Sequence, residues 1–380
     1  MSRILIRNLR RIRQLDFSIP TEFGTVFLLT GTNGSGKSTL FSCLSQIADP
    51  KILDQMFCPN VQFYESSASN TYTKSLITYE TDAGTVSFHY GEDRWISSLS
   101  RENTLKILSS AGFSTVVYSG AHPKKIMTAQ NLSVQDIQNA DDDLRNALTV
   151  IFDDKNFRNL YYVTDHETQN VIYLLKENID GQNYYFSENN FSRGERAIIC
   201  LINKMANLPK HSLVLIDESE MSLHPKAQKR LLIYLQIFAA ERQLQIILST
   251  QSASIIKIFK PEKILFLEKE NDQDGVLVCR RNVYPAAILG EMAFADEILP
   301  EMVLLVEDAE AAMLLEEIVS RLKQIVPLNF PYCKILPVGG YMQVVIMMDN
   351  FGKIFPSYVR QRAVLDKDAE SILNKAFKNP

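Results

Sequence analysis

Gly31-Thr32-Asn33-Gly34-Ser35-Gly36-Lys37-Ser38 is the segment from which the rest of the chain can be read. It fits the pattern G-x-x-x-x-G-K-S and follows the apolar run Thr25-Val-Phe-Leu-Leu-Thr30, which has the length of one buried strand. The residues after it, Thr39 to Ile47, read as a helix. Strand, glycine-rich loop and helix in that order are the setting in which such a loop holds phosphate. Gly31, Gly34 and Gly36 let backbone N–H groups close around phosphate oxygens, and the helix N-terminus adds aligned dipoles. Asn33, Ser35 and Thr39 complete the candidate contacts of the loop. Lys37 would reach the β and γ phosphates of a nucleotide, and Ser38 would offer its hydroxyl to Mg²⁺.

A second motif lies far downstream. Ser212-Leu-Val-Leu-Ile-Asp217-Glu218 is a buried strand ending in two carboxylates. Successive residues of a strand face opposite sides, which predicts separate tasks for the two. Asp217 would hold Mg²⁺ through water, and Glu218 would polarise an attacking water. Between the motifs, Phe191-Ser192-Arg193-Gly194-Glu195-Arg196 opens a helix, with Ser192 at the N-cap and Glu195 three residues on, the spacing of a capping box.

The elements around these motifs alternate. A helix from Gly194 to about Ala206, a strand at Leu213–Ile216, a helix from Pro225 to about Glu241 and a strand at Gln245–Ser249 imply parallel pairing. Upstream, Ile4, Ile6 and Leu9, then Ile12, Leu15, Phe17 and Ile19, alternate with polar residues as an edge hairpin or meander does. Residues 51–189 are mixed, with strands near Ser75–Tyr79 and Thr85–Tyr90 and helices after Ser100 and over Val134–Leu148, and they read as an insertion into the core. From Val303 a second βα rhythm begins: Val303–Val306, a helix at Ala311–Ile325, Ile335–Val338, another helix and Ala363–Leu365.

Composition sets outer bounds. At ~150 residues per domain, 380 residues suggest two to three domains. With 46% apolar and 22% charged residues the chain lies near the soluble globular average. Forty Lys plus Arg against 44 Asp plus Glu leave a formal charge of −4, which excludes a dedicated basic coat for nucleic acid but not a local basic groove. No apolar run approaches the ~20 residues of a membrane span, and Met1–Arg13 is followed by no apolar core of a signal peptide, so the expected location is cytoplasmic. The five cysteines are widely spaced without a C-x-x-C pair, which argues against a disulfide framework or a zinc site.

The C-terminal region carries a third group of acids. Glu307 follows the strand Val303–Val306, and Asp366 and Asp368 follow Ala363–Leu365. Two apart on a persisting strand, Asp366 and Asp368 would face one side and present hard oxygen ligands to one cation, with Glu307 completing the set. Such a trio can activate water for phosphodiester cleavage. The plainer alternative is three solvated strand-end carboxylates. Asp308 and Glu310 read as first-turn helix acids. Arg7, Arg10, Arg11 and Arg13, with Lys124 and Lys125, read as solubility or as contacts to nucleic acid or nucleotide; Tyr161, Tyr162, Tyr184, Tyr185 and Phe186 read as sheet packing.

The S-x-G-E segment at Ser192–Glu195, the I-D-E at Ile216–Glu218 and the run from Ser219 to Leu223-His224-Pro225 together resemble the ABC-type ATPase heads of the RecF, SMC and OLD (overcoming lysogenisation defect) group. The resemblance implies an α/β head, a mixed sheet flanked by helices, over residues 1–50 and 190–295. It also implies two copies sandwiching ATP, with Ser192, Gly194 and Glu195 of one facing the phosphate loop of the other, and a structural role for His224. One position departs. Where the family has a histidine in T-H-S, this chain has Thr250-Gln251-Ser252. Glutamine donates and accepts hydrogen bonds but takes no proton at neutral pH, so slow hydrolysis is expected.

Glu307, then Pro337-Val338-Gly339-Gly340, then Asp366-x-Asp368 resembles the Toprim domain of OLD-type nucleases over about 296–380. Asp308 replaces the glycine common after the glutamate, and twelve residues follow Asp368, so an incomplete unit is expected. What the resemblance implies is an ATP- and Mg²⁺-dependent ATPase, with Mn²⁺ a further candidate at the acidic trio, that dimerises on ATP and controls DNA cleavage as an OLD-like endonuclease in anti-phage defence. The alternative is a sensor ATPase whose Toprim-like part is scaffold and which controls a separate effector nuclease. A recombination ATPase of the RecF kind is disfavoured by the D-x-D pair, and no heptad run long enough for an SMC coiled coil is present.

Overall fold

The computed structural model describes residues 2–49, 51–57, 72, 74–91, 94–119, 136–164, 170–218, 222–270, 275–292, 300–326, 329–355 and 358–367. Lys124, Lys125, residues 219–221 and Asp368 lie outside these residues. The chain divides into two compact units, Met1–Ile256 with Leu267–Cys279, and Lys257–Phe266 with Arg280–Pro380.

The larger unit starts with β1 (Arg3–Leu9) and β2 (Ile12–Ser18), an antiparallel hairpin with Ile4, Ile6, Leu15 and Phe17 turned inward; it lies within the sheet and not at the expected edge, because further strands pair with both its outer sides. β3 (Thr25–Gly31) leads through the glycine loop into α1 (Lys37–Ser45), followed by the short α2 (Ile52–Met56). β4 (Leu76–Thr81), β5 (Gly84–Gly91) and β6 (Arg94–Ser97) form an antiparallel meander; α3 (Arg101–Ser109) then leads to β7 (Val116–Ser119). β8 (Gln138–Asn139), α4 (Asp142–Phe152), β9 (Leu160–Thr164), β10 (Val171–Ile179) and β11 (Gln182–Ser187) come next. The series closes with α5 (Arg193–Ala206), β12 (Leu213–Asp217), α6 (Pro225–Arg242), β13 (Gln245–Ser249), α7 (Ala253–Ile256), β14 (Ile264–Lys269) and β15 (Val276–Arg281).

An 11-stranded mixed sheet runs in the order β6-β5-β4-β1-β2-β15-β14-β3-β13-β12-β7. Its segment β3-β13-β12-β7 is parallel throughout, and the three apolar runs read from the sequence supply its buried strands. β12 and β13 are buried at every residue, as strands covered on both faces must be, which is why they read as unbroken hydrophobic runs rather than alternations. Segment 51–189 adds β4 to β7 to this same sheet and places β8 to β11 in a separate four-stranded one with a small core of Val163, Ile172 and Leu174. Tyr161 and Tyr185 pack edge to face across that second sheet, their centroids 5.8 Å apart.

One helix was placed too early from the pattern. The helix expected over Val134–Leu148 begins at Asp142, after the bridge strand β8, because Asp141 caps it by accepting the backbone N–H of Asp143. An Asp with extended backbone at the N-cap satisfies an otherwise unpaired amide, and the chain before it is free to pair as strand.

The smaller unit contains α8 (Pro285–Met292), β16 (Met302–Val306), α9 (Ala309–Ile325), β17 (Cys333–Pro337), α10 (Tyr341–Ile354) and β18 (Arg360–Val364). Its three strands are parallel in the order β17-β16-β18, over a core of Val303, Leu305, Val344, Phe351 and Val359. The half-buried Glu301 ties this unit together: its carboxylate accepts the N–H of Ala286 at 2.9 Å and of Tyr332 at 3.0 Å, while partial burial weakens it as an acid. Among the described residues no helix is long and apolar enough to cross a membrane.

Candidate functional site

The site lies at the C-terminal edge of β3, β13, β12 and β7, where an open parallel sheet presents its loops. Gly31 ends β3 with a φ of 155°, and a Cβ there would lie 2.3 Å from the Leu267 carbonyl oxygen, so no other residue fits. Gly36 caps α1 in the left-handed region at φ 84°. Lys37 folds over this loop and donates to the carbonyl oxygens of Gly31 at 2.8 Å and Thr32 at 3.2 Å. Burial pulls its ammonium below the ordinary lysine range, against the opposing pull of Glu218 and Asp217.

A cleft of about 330 Å³ opens beside the loop, within the ~300–1,000 Å³ usual for small-molecule sites. Asn33, Gly34, Ser35, Gly36, Lys37, Ser38 and Thr39 line one side, and Glu218 and Gln251 line another. The turn after β1 contributes Arg10 and Arg11. Arg10 is held in place, donating to the Met56 carbonyl at 2.9 Å with its guanidinium 4.7 Å over the Phe57 ring. Arg11 lies across the loop itself, Nη1 being 2.9 Å from where a Cβ of Gly34 would stand.

Asp217 is the last residue of β12 and is buried. Its Oδ2 accepts from the Tyr118 hydroxyl at 3.1 Å, while its Oδ1 has no hydrogen-bond partner among the described residues. A buried carboxylate oxygen without a hydrogen bond is costly unless a cation or water meets it, and a serine hydroxyl with a carboxylate is a hard-oxygen donor set, so Ser38 and Asp217 fit Mg²⁺. Burial, with Asp217 and Glu218 nearby, pushes the Tyr118 phenol up and keeps it a neutral donor.

Glu218 parts from Asp217 differently than strand alternation predicts. β12 ends at Asp217, and Glu218 turns out of it with a φ of 46°, its N–H donating to the Ser249 carbonyl at 3.1 Å. A left-handed glutamate is strained, and strain of this kind collects where a side chain must be aimed. Glu218 Oε1 accepts from Gln251 Nε2 at 3.0 Å.

Ser192 and the phosphate loop line separate clefts of one chain. Ser192 caps α5 in a full capping box: its Oγ accepts the Glu195 N–H at 3.2 Å, and Glu195 Oε2 accepts the Ser192 N–H at 2.6 Å. The Ser192 hydroxyl is used there as an acceptor, so its hydrogen is available for an anion. Gly194 sits under the segment after β12; a Cβ on it would lie 2.7 Å from the Ser222 carbonyl oxygen. His224 caps α6, Nδ1 accepting the Lys226 N–H at 3.3 Å, a structural duty.

In the smaller unit Glu307 and Asp366 come together, because β16 and β18 pair in parallel up to Val306 and Val364. Glu307 Oε1 accepts the backbone N–H of Asp366 at 2.9 Å. Asp366 stands two residues beyond β18, where the pairing with β16 has ended, and its expected same-side placement with Asp368 falls outside the described residues. Among the described residues no group of three metal-binding side chains gathers.

Two residues escaped the sequence reading. Tyr118 gave no signal, since its place beside Asp217 depends on β7 pairing with β12. Arg11 was one of four arginines and could be singled out only by the β1–β2 turn meeting the loop.

Residues 121–257 match the family described as "AAA domain, putative AbiEii toxin, Type IV TA system". No curated protein matches the chain. Among solved structures, an Smc head bound to the C-winged helix domain of ScpA aligns at 14% identity and a TM-score of 0.44, over 73% of this chain and 96% of that one. The SMC head domain from Thermotoga maritima aligns at 12% identity and 0.37, over 73% and 97%. The protein cbiO1 from Clostridium perfringens, part of the ABC transporter complex cbiONQ, aligns at 14% identity and 0.38, over 86% and 95%. The chain has a mixed α/β fold that carries a G-x-x-x-x-G-K-S loop between β3 and α1.

Proposed function

We propose that the protein is an ABC-type ATPase that holds ATP between the phosphate loop of one copy and the Ser192 helix end of a second, hydrolyses it slowly, and uses this cycle to control DNA cleavage. The observation that carries the reading is the gathering of Lys37, Ser38, Glu218 and Gln251 around one cleft. Within it Lys37 would exchange the loop carbonyls for phosphate oxygens, a stronger charge-assisted contact. Ser38 and Asp217 would hold Mg²⁺, which when bound neutralises phosphate charge. Glu218 would take a proton from water, and Gln251, unable to take one, would keep that step slow. That Ser192 lines another cleft of its own chain supports its use by a partner copy.

For the cleavage part, the support is the placement of Glu307 and Asp366 just past the ends of two adjacent strands. The matched family's description as a putative toxin of a toxin–antitoxin system is in keeping with a defence role, OLD-like in kind. A second reading, a regulator of a separate effector nuclease, is favoured by the bond from the Asp366 N–H to Glu307, which uses that carboxylate structurally.

The test is a set of DNA forms incubated with the purified protein, ATP and Mg²⁺ or Mn²⁺. Cutting that is lost in Asp366→Ala supports the endonuclease. No cutting of any form, with an effector nuclease copurifying, supports the regulator. Loss of ATP binding in neither Lys37→Ala nor a Ser38 variant removes the ATPase reading itself.

A further inference from the structure

α9 has two apolar faces, and among the described residues only one of them is packed. Ala312 and Val319 are buried on the face toward the unit's sheet. On another side Leu314, Ile318, Leu322 and Ile325 recur at helical spacing and stand 65%, 44%, 40% and 74% exposed. An amphipathic surface helix turns charge and not leucine to water, so a second stripe of this length is unusual in a lone chain. The stripe is bordered by Glu317 and Arg321, paired with each other at 2.8 Å and both exposed.

We propose that this stripe is a self-association surface, on which α9 of a second copy packs antiparallel. The charges select that occupant. Acids fill the first part of the helix, Glu310, Glu316 and Glu317, while Arg321 follows in its last part. A two-fold axis crossing near Ile318 and Val319 sets Ile318 beside its own copy and Leu314 beside the partner copy's Leu322 and Ile325 positions. The same axis sets Glu317 opposite the Arg321 position of the other copy, twice, whereas a parallel pair would oppose like charges. Antiparallel helix dipoles add to the preference. The contact uses no residue of the nucleotide cleft, so it forms without ATP. Together with an ATP-held head pair it gives each copy two distinct partners.

Light scattering after size exclusion, on the full chain without nucleotide, reads this directly. The expected mass is twice the 43.2 kDa of one chain, unchanged in Lys37→Ala and halved in Ile318→Glu. Arg321→Glu weakens the dimer, and Glu317→Arg added to it restores the dimer. The register has its own readout: a bifunctional thiol reagent links Ile318→Cys to itself, and links Leu314→Cys only when mixed with Leu322→Cys, above the background of the native cysteines. A nucleotide-free protein that runs as a single chain overturns the proposal. So does a dimer that survives Ile318→Glu, or cross-linking of Leu314→Cys to itself.

Discussion

Gln251 donates its side-chain amide to the Glu218 carboxylate across 3.0 Å, joining the residue after β12 to the loop after β13. They meet because Asp217 and Ser249 are register partners, so both chains leave the sheet side by side. Gln251 thus holds one oxygen of Glu218 in place, and its amide takes no proton itself. Gln251→His supplies a group titrating near ~6.5. Phosphate release should rise, and its pH profile should gain a limb near neutrality that the native protein lacks. An unchanged profile would separate Gln251 from the chemistry.

Glu218→Gln keeps the shape of the side chain and removes the proposed base. ATP affinity should persist, turnover should drop by about 10²–10⁴, the usual share of a general base, and the ATP-held pair should become long-lived. Turnover and light scattering on one preparation check both halves, and native turnover in the variant refutes the assignment of Glu218.

The buried Lys37 gives ATP binding a pH dependence whose sign is fixed. The ammonium is the form that attracts phosphate, and burial lowers its pKa below the usual 10.5. Affinity is thus full below the lowered value and falls as pH rises through it, earlier than for an exposed lysine. Lys37→Arg stays charged throughout and should bind with a flatter alkaline profile. A fluorescent ATP analogue titrated at increasing pH reads the difference; parallel profiles would place Lys37 away from phosphate.

Ser192 caps α5, and under the proposal it would also donate to a partner copy's nucleotide, two duties that substitution can separate. Ser192→Ala removes a helix cap, worth ~1 kcal/mol, and the donor offered to a partner's nucleotide. Ser192→Asp keeps the cap yet places a carboxylate where phosphate would approach. Both should lose ATP-driven pairing, while only the alanine variant melts lower. Pairing that survives Ser192→Asp would remove this residue from the interface.

Gly194→Ala tests packing alone. Its added methyl meets the Ser222 carbonyl at 2.7 Å, backbone that can move only with the segment after β12, so a loss of ~1–3 kcal/mol is expected from denaturant unfolding. A stability equal to native would mean that this close approach relaxes freely.

The parallel core was legible because its signals are local. Thr25–Gly31, Leu213–Asp217 and Gln245–Ser249 are continuous apolar runs, each followed by a residue type with a definite chemistry, and the Ser192 capping box is complete within four residues. The start of α4 was not legible, since helical periodicity before Asp141 competes with a cap whose effect is seen only when the amides are counted.

The chain order of amino acids by itself determined which groups can touch a phosphate: glycines where backbone must come close, one lysine, one serine, and carboxylates at strand ends. Their partners came from pairings between residues distant in sequence. β7 beside β12 brings Tyr118 to Asp217, the β1–β2 turn lays Arg11 over Gly34, and β12 beside β13 joins Gln251 to Glu218. Hydrophobic spacing records which face of an element is buried, but not which element lies against it, because burial carries no address. Strand register supplies that address, and it exists only once the sheet has formed.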